Sequence, residues 1–426
     1  MAFNSIYVHI PFCEKRCNYC DFVSHVKGDW QAASEKYADL VIAELKMEAK
    51  EQAEEIQTIY FGGGTPSVLP YQDLIKILNA IKETFKVAAD AEITVELNPS
   101  STSFFPMMML KRAGFTRVSI GGQSFHDEEL QTMGRCHTVE ELRETIAGAE
   151  RAGFEHRNVD LIYGIPGQTL ESWLDSVGEA AHSEANHVSI YGLQVDNNSI
   201  WGKKYAAGEL EIADEDLAAD MFAGAIKLLP TAAFKHYEIA NFSYTLDEGN
   251  HESRHNLAYW KRLNYLGLGL GAASCHDNER WVNTGTLDEY IAAIESGNKP
   301  NRENETLTEK QVISEAAFLA LRTRVGIEIE EFNERFGVDV KEIFADAIQK
   351  LIEQGLLEFG IKPKQMKEIP MPVSPFPSTW DFTFGENDGG VEIVEDEDEE
   401  PDVEVLRLTD KGIMLGNLVF EEFILD

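Results

Sequence analysis

Pro11-Phe12-Cys13-Glu14-Lys15-Arg16-Cys17-Asn18-Tyr19-Cys20-Asp21-Phe22 holds three of the chain's five cysteines in a C-x3-C-x2-C spacing. Thiolates are the usual ligands of iron–sulfur clusters, and a four-iron cube takes four ligands. Three from one short loop leave one iron open to a ligand that is not a protein thiolate. Structural zinc instead closes a tetrahedron with four protein ligands. His9 and His25 flank the loop, so a Cys3His zinc site is the competing reading, and spacing alone does not remove it.

The residues after the next strands bear on the choice. Short runs rich in Val, Ile, Tyr and Phe at Ser5–Phe12, Ile56–Phe61, Glu92–Leu97, Arg117–Ile120, Asn158–Tyr163 and His187–Leu193 read as strands. Between them, segments such as Ala32–Gln52, Tyr71–Phe85, Val139–Arg151 and Leu170–His182 show helical spacing. Such alternation is a series of βα units with a parallel sheet. A partial barrel and an open doubly wound sheet both satisfy it. The strands run into Gly62-Gly63-Gly64-Thr65-Pro66, Glu96-Leu97-Asn98-Pro99, Gly121-Gly122-Gln123-Ser124 and Gly164-Ile165-Pro166-Gly167, with Asp160 inside the fifth. Parallel α/β folds place their sites at these C-terminal strand ends, and the cysteine loop follows the first strand onto the same face. Gly62–Thr65 lacks the lysine and helix of a phosphate loop.

The net charge of −37 argues against a phosphate-backbone partner or an anionic membrane surface. With no apolar run of membrane-spanning length, no export signal and clustered thiols, the expected setting is a reducing cytoplasm.

A second block starts near residue 231. Phe234–Phe242 reads as a strand leaving into a loop, and Arg254-His255-Asn256-Leu257-Ala258-Tyr259-Trp260 follows. Gly267, Gly269 and Gly271 then alternate, which suits close approach of a backbone or a ligand. His255 beside Tyr259 and Trp260 offers an axial ligand with aromatic surface for a flat ring, or an ordinary core histidine; His236 and His276 are the alternatives. Helical patterns at Thr308–Thr323 and Glu328–Gln354, two strands near Leu356–Phe359 and Val405–Leu408, and a terminal helix from Asp410 suggest a winged-helix-like end. The Pro-rich stretch after Lys362 and eleven acidic residues between Glu386 and Glu404 read as an extended insertion, 362–402. The expected division is 1–230, 231–305 and 306–426.

Cys13-x3-Cys17-x2-Cys20, Gly62–Pro66, Glu96, Gln123 and Asp160, in that order, resemble the radical S-adenosylmethionine superfamily. Within it, Tyr7–Cys13, Asp160–Thr169 and His255–Trp260 are similar to the coproporphyrinogen dehydrogenase subfamily and its heme-chaperone branch. The resemblance favours the cluster over zinc and selects a partial (β/α)6 barrel with a C-terminal winged-helix-like domain. It implies a [4Fe-4S] cluster on Cys13, Cys17 and Cys20, with S-adenosylmethionine on the open iron. It further implies that Tyr7, Tyr19, Gly63, Gly64, Thr65, Glu96, Gln123, Arg135 and Asp160 bind that molecule or a second copy of it. His255, Asn256, Tyr259 and Trp260 would belong to heme, acceptor hemoproteins would be the partners, and a homodimer is the assembly to test. The decarboxylase of the subfamily carries a fourth cysteine where this chain has Phe22, and a long N-terminal extension where twelve residues precede Cys13. Both differences favour a chaperone over oxidative decarboxylation of coproporphyrinogen, the alternative function.

Overall fold

The computed structural model describes residues 3–20, 22–26, 31–49, 55–247, 249–362 and 402–425. Nearly all of the acidic insertion, 363–401, lies outside them. Six strands, β1 (Ser5–Ile10), β2 (Ile56–Gly63), β3 (Val87–Leu97), β4 (Arg117–Gln123), β5 (His156–Tyr163) and β6 (His187–Gly192), pair in chain order and all in parallel. Helices connect them, among them Gln31–Glu48, Tyr71–Thr84, Phe104–Ala113, Val139–Arg151 and Leu170–His182. This is the partial (β/α)6 barrel. Beyond β6 the sheet continues through an antiparallel hairpin, β7 (Phe234–Glu238) and β8 (Asn241–Tyr244), with β8 next to β6. On the other side β9 (Tyr265–Leu268) joins β1 in parallel, followed antiparallel by β10 (Ala273–His276), β11 (Glu279–Asn283) and β12 (Arg302–Thr306).

Two corrections concern the first strand and the hairpin. Ser5–Phe12 is not one strand: Pro11 has no N–H to donate, β1 ends at Ile10, and Phe12–Cys13 pairs separately with His25–Val26. Phe234–Phe242 does not leave into a loop but folds back at Ile239-Ala240 into β8.

The register explains why the strands look mixed in sequence. Ser5 pairs with Thr58, Thr58 with Glu92, Thr94 with Arg117, Ser119 with Asn158, and Asn158 with His187. One face of the barrel therefore carries Ser5, Tyr7 and His9; Thr58 and Tyr60; Glu92, Thr94 and Glu96; Arg117 and Ser119; Asn158 and Asp160; His187, Ser189 and Tyr191. The other face carries Ile6, Val8, Ile59, Phe61, Ile93, Val95, Val118, Ile120, Val159, Leu161, Val188 and Ile190, all buried in one apolar cluster with the helices. Burial on that scale drives folding. The concave face is polar and must satisfy itself.

It does so largely side chain to side chain. Arg117 donates its Nε to Glu92 at 2.9 Å, both side chains almost fully buried, and its Nη2 to the carbonyls of His251 and Glu252. Glu92 also accepts the backbone N–H groups of Arg254 and His255, holding the first turn of helix Arg254–Trp260. Burial alone would raise the Glu92 carboxyl, but Arg117 and those N–H groups outweigh it and hold it below the usual range.

A second apolar cluster lies in the C-terminal part, formed by helices Glu309–Ala320, Ile329–Phe336 and Ala345–Glu353 and a three-stranded sheet of Ile327–Glu328, Leu357–Ile361 and Glu404–Leu408. This is the winged-helix-like domain. It is fastened to the barrel where the 254–260 helix ends: Arg335 donates to the carbonyls of Lys261 and Arg262, and the Arg322 guanidinium lies between the Trp260 and Phe420 rings. Among the described residues no helix is long and apolar enough to cross a membrane.

Removing Arg117 should strand a buried carboxylate. Arg117→Met is expected to cost about 3–5 kcal/mol in denaturant unfolding. Because the folded-state Glu92 carboxyl is held low, its contribution is present above the ordinary carboxylate range and fades as pH falls. The gap between wild type and Arg117→Met should therefore narrow on acidification.

Candidate functional site at the mouth of the barrel

The cysteine loop sits over the C-terminal ends of β1 and β2, anchored on both sides. Asn18 donates its N–H to the Met133 carbonyl and accepts that of Trp201, while Cys20 N–H turns back to the Cys17 carbonyl. Cys13 is buried; Cys17 and Cys20 are half-buried. Thr65 Oγ1 lies 3.5 Å from Cys13 Sγ, and Arg135 Nη1 lies 3.6 Å from Cys17 Sγ. His9 is no zinc ligand: Nδ1 accepts from Tyr7 Oη at 3.0 Å and Nε2 donates to the Val23 carbonyl at 2.9 Å. Both ring nitrogens are already committed. Three thiols on one short loop, with the Arg135 guanidinium beside Cys17, suit an iron–sulfur cluster of net negative charge.

The glycine stretch approaches this loop closely. A Cβ on Gly64 would come within 2.8 Å of the Phe12 carbonyl and 3.0 Å of Cys13 Sγ, and one on Gly63 within 2.6 Å of the His9 ring. Gly63 also has φ +117°, a conformation glycine adopts without strain. Its N–H and the Tyr60 hydroxyl donate to the two oxygens of Glu96, at 3.1 and 2.8 Å. Asp160 accepts from Ser119 and Asn158 at 3.0 and 2.8 Å. Gln123 holds φ +70° just after the register of β4 against β5 shifts, strain of a kind that clusters at functional sites. Its amide nitrogen and Arg135 Nη2 both lie beside Gly121. Arg135 donates to Asn98 Oδ1 and the Gly121 carbonyl, yet its Nε is buried without a hydrogen-bond partner. Tyr19 packs against Trp201. Tyr7, Tyr60, Glu96, Gln123, Arg135 and Asp160 thus collect around one mouth beside the cysteines.

Burial pushes Glu96 up to about 8, with Asp160 adding to the rise, and burial also raises Asp160. Two carboxyls raised by burial would gain from a positive partner, and an unsatisfied guanidinium N–H from an acceptor. S-adenosylmethionine carries a sulfonium, an ammonium and a carboxylate, so the residues present fit it.

The 254–260 segment meets this mouth from below, at Tyr60. His255 is 1% exposed. It stacks on Tyr60, and both of its nitrogens are engaged, Nδ1 with Thr58 Oγ1 at 2.7 Å and Nε2 with Tyr259 Oη at 3.0 Å. In this geometry it is a hydrogen-bonded core histidine, and an iron could reach it only in exchange for one of those bonds. Asn256, Tyr259 and Trp260 are half-buried. His236 stacks on Phe242 and is bonded to the Ile239 carbonyl. His276 pairs with Asp277. Sequence reasoning missed Glu92, Arg117 and Thr58, although charged or polar residues at alternate positions of otherwise apolar strands were the available signal.

The fold and this mouth define a radical SAM protein: the sequence profile of the Radical SAM superfamily matches residues 7–180, and that of the HemN C-terminal domain matches 307–360. The chain is 31% identical over 423 residues to the heme chaperone HemW of Lactococcus lactis, covering 99% of this chain and 98% of that one. It is 33% identical to the heme chaperone HemW of Bacillus subtilis, covering 83% and 92%. The chain belongs to the HemW family of radical SAM proteins. Among solved structures, the Escherichia coli coproporphyrinogen III oxidase HemN superposes with a TM-score of 0.76 at 21% identity, covering 99% of this chain and 90% of that one. That likeness shows the shared fold.

Two predictions test the mouth. Alanine at Cys13, Cys17 or Cys20 should abolish iron–sulfur absorbance after anaerobic reconstitution, whereas Cys136→Ala and Cys275→Ala should retain it. S-adenosylmethionine should bind more tightly as pH rises towards 8, by up to about tenfold per unit, because Glu96 must lose a proton to meet a cation. Calorimetric titrations of Glu96→Gln should lack that component of the pH dependence.

Proposed function

We propose that the chain binds heme and hands it to acceptor hemoproteins in the cytoplasm, with a [4Fe-4S] cluster on Cys13, Cys17 and Cys20 and S-adenosylmethionine beside it. The observation that carries this reading is the end-to-end identity with proteins named heme chaperone HemW. The division of labour follows the division proposed from sequence: 1–230 for the cluster and S-adenosylmethionine, 231–305 for heme through His255, Asn256, Tyr259 and Trp260, and 306–426 as the domain packed against the second. A reduced cluster with S-adenosylmethionine supplies one-electron chemistry when both are bound. The chain's own residues orient that molecule: Gly63 and Gly64 admit its backbone-like end, Glu96 and Asp160 supply negative charge, and Arg135 supplies the donor that now lacks an acceptor.

Phe22, 61% exposed, occupies the place of the decarboxylase's fourth cysteine. That residue offers no sulfur, which is why oxidative decarboxylation is not the reading adopted. The test is transfer. Heme-loaded protein mixed with the apo-form of a b-type hemoprotein should yield the acceptor's spectrum, and coproporphyrinogen with reductant and S-adenosylmethionine should gain no vinyl groups. Vinyl formation without heme transfer would reverse the assignment.

A further inference from the structure

A glycine turn touches the chain on both flanks of the cysteine loop. Between β9 and β10 the backbone passes through Gly269, Leu270 and Gly271, with φ +100° and +68° at the two glycines. A Cβ on Gly269 would come within 2.6 Å of the His9 carbonyl, and one on Gly271 within 3.2 Å of Val23. His9 precedes the three cysteines and Val23 follows them, and His9 Nε2 donates to the Val23 carbonyl. The Tyr37 hydroxyl ties the turn to the first flank. It donates to the His9 carbonyl at 2.9 Å and accepts the Leu270 N–H at 3.0 Å.

The turn is itself held by Glu44, which shares the Gln31–Glu48 helix with Tyr37 and is fully buried. One carboxyl oxygen accepts the Gly269 N–H and the Tyr290 hydroxyl, and the other the Asn283 side-chain amide, each at 2.7 Å. The other ionisable groups around it are Tyr37 on its own helix, Arg302 on β12 at 4.0 Å, and Glu48, which pairs with Arg302 and Lys299. All three bonded partners donate, so the arrangement calls for a carboxylate; a carboxylic acid would set its own O–H against one of them. A buried charge is costly. Burial accordingly pushes the Glu44 carboxyl up to about 7, although its three bonds and Arg302 pull the other way. We infer that Glu44 is a positioning residue for the iron–sulfur cluster: its carboxylate sets the 269–271 turn, and the turn, with Tyr37, holds His9 and Val23 on either side of the 13–20 loop. This rests on the reading that Cys13, Cys17 and Cys20 carry a cluster. It adds that retention of the cluster depends on a charge buried outside the mouth.

Chelator-driven loss of iron–sulfur absorbance from the reconstituted protein tests it, with folding followed in parallel by circular dichroism. Glu44→Gln keeps the shape, removes the charge and turns an amide N–H towards the donors. It should release the cluster about tenfold faster than wild type at pH 8. Tyr37→Phe keeps the ring and removes only the hydroxyl between His9 and Leu270. It should also speed release, and it decides the matter alone if Glu44→Gln does not fold. Lowering the pH from 8 to 6 protonates Glu44 in wild type, so the gap between wild type and Glu44→Gln should close. The wild-type fold should persist over that range. A carboxyl held higher in the folded than in the unfolded chain takes up its proton more readily when folded, so its protonation does not unfold the protein. A purely structural Glu44 would instead lower the unfolding midpoint of the variants without changing cluster release from the folded protein. That outcome, or a gap that stays as wide at pH 6 as at pH 8, would overturn the inference. If the wild-type protein takes up no cluster, or Cys13→Ala takes it up equally well, the cluster reading fails and takes the inference with it. That result differs from a cluster that forms on the three cysteines and is held equally well by every variant, which sinks the inference alone.

Discussion

A barrel of six parallel strands whose concave face is polar has one overriding constraint: each buried donor and acceptor there must find a partner inside the protein. Unpaired groups in such a place cost more than paired ones gain. The structure answers with a continuous chain of bonds that leaves Thr94 Oγ1 and one Arg117 nitrogen, Nη1, without a partner. Asp160 joins Ser119 and Asn158, Asn158 joins Ser189 and His187, His187 joins Tyr237, and the Tyr237 hydroxyl receives the Ser253 N–H at the start of helix Arg254–Trp260. Arg117 and Glu92 complete the attachment of that helix. The 254–260 segment, proposed above to hold heme, is therefore suspended from the same network that shapes the mouth beside the cysteines.

The two regions differ in electrostatic character. At the mouth, carboxyls raised by burial face an incompletely bonded arginine, an arrangement that gains from a ligand carrying both signs of charge. Along the polar face of β5 and β6 burial drives imidazoles neutral: His187 is pushed well below its usual value and His156, bonded to His251, down to about 3. Neutral imidazole is the form that can donate a lone pair to a metal. The Arg322 guanidinium, 4.9 Å from the Trp260 ring centroid and 5.1 Å from that of Phe420, ties the second region to the C-terminal domain.

Much of this was legible in the residues. Val139–Arg151 and Leu170–His182 match the sequence reading to the residue because each opens with a capping box, from Thr138 and Thr169, and shows a clear apolar stripe. Phe104–Ala113 was not named because Phe-Phe-Pro-Met-Met-Met-Leu is apolar on every side and carries no period. The alternating glycines at 267–271 allowed a backbone or a ligand; Gly267 faces backbone, since a Cβ there would lie 2.0 Å from the Ala273 carbonyl. The grouping of polar ends was visible, but the polar face below them was not, because it appears only when Ser5, Thr58, Glu92, Arg117, Asn158 and His187 are aligned across strands far apart in sequence. His255 shows the same limit. A motif names the residue, while only the fold reveals that both of its nitrogens are bonded.

The central proposal is that one chain holds both an iron–sulfur cluster and heme on a shared polar scaffold. The most direct measurement is the optical spectrum of anaerobically reconstituted protein before and after one equivalent of heme. The account predicts that a Soret band typical of protein-bound heme adds to an undiminished iron–sulfur absorbance. A spectrum of free heme, or a bound-heme band that grows only as the cluster absorbance is lost, would contradict it.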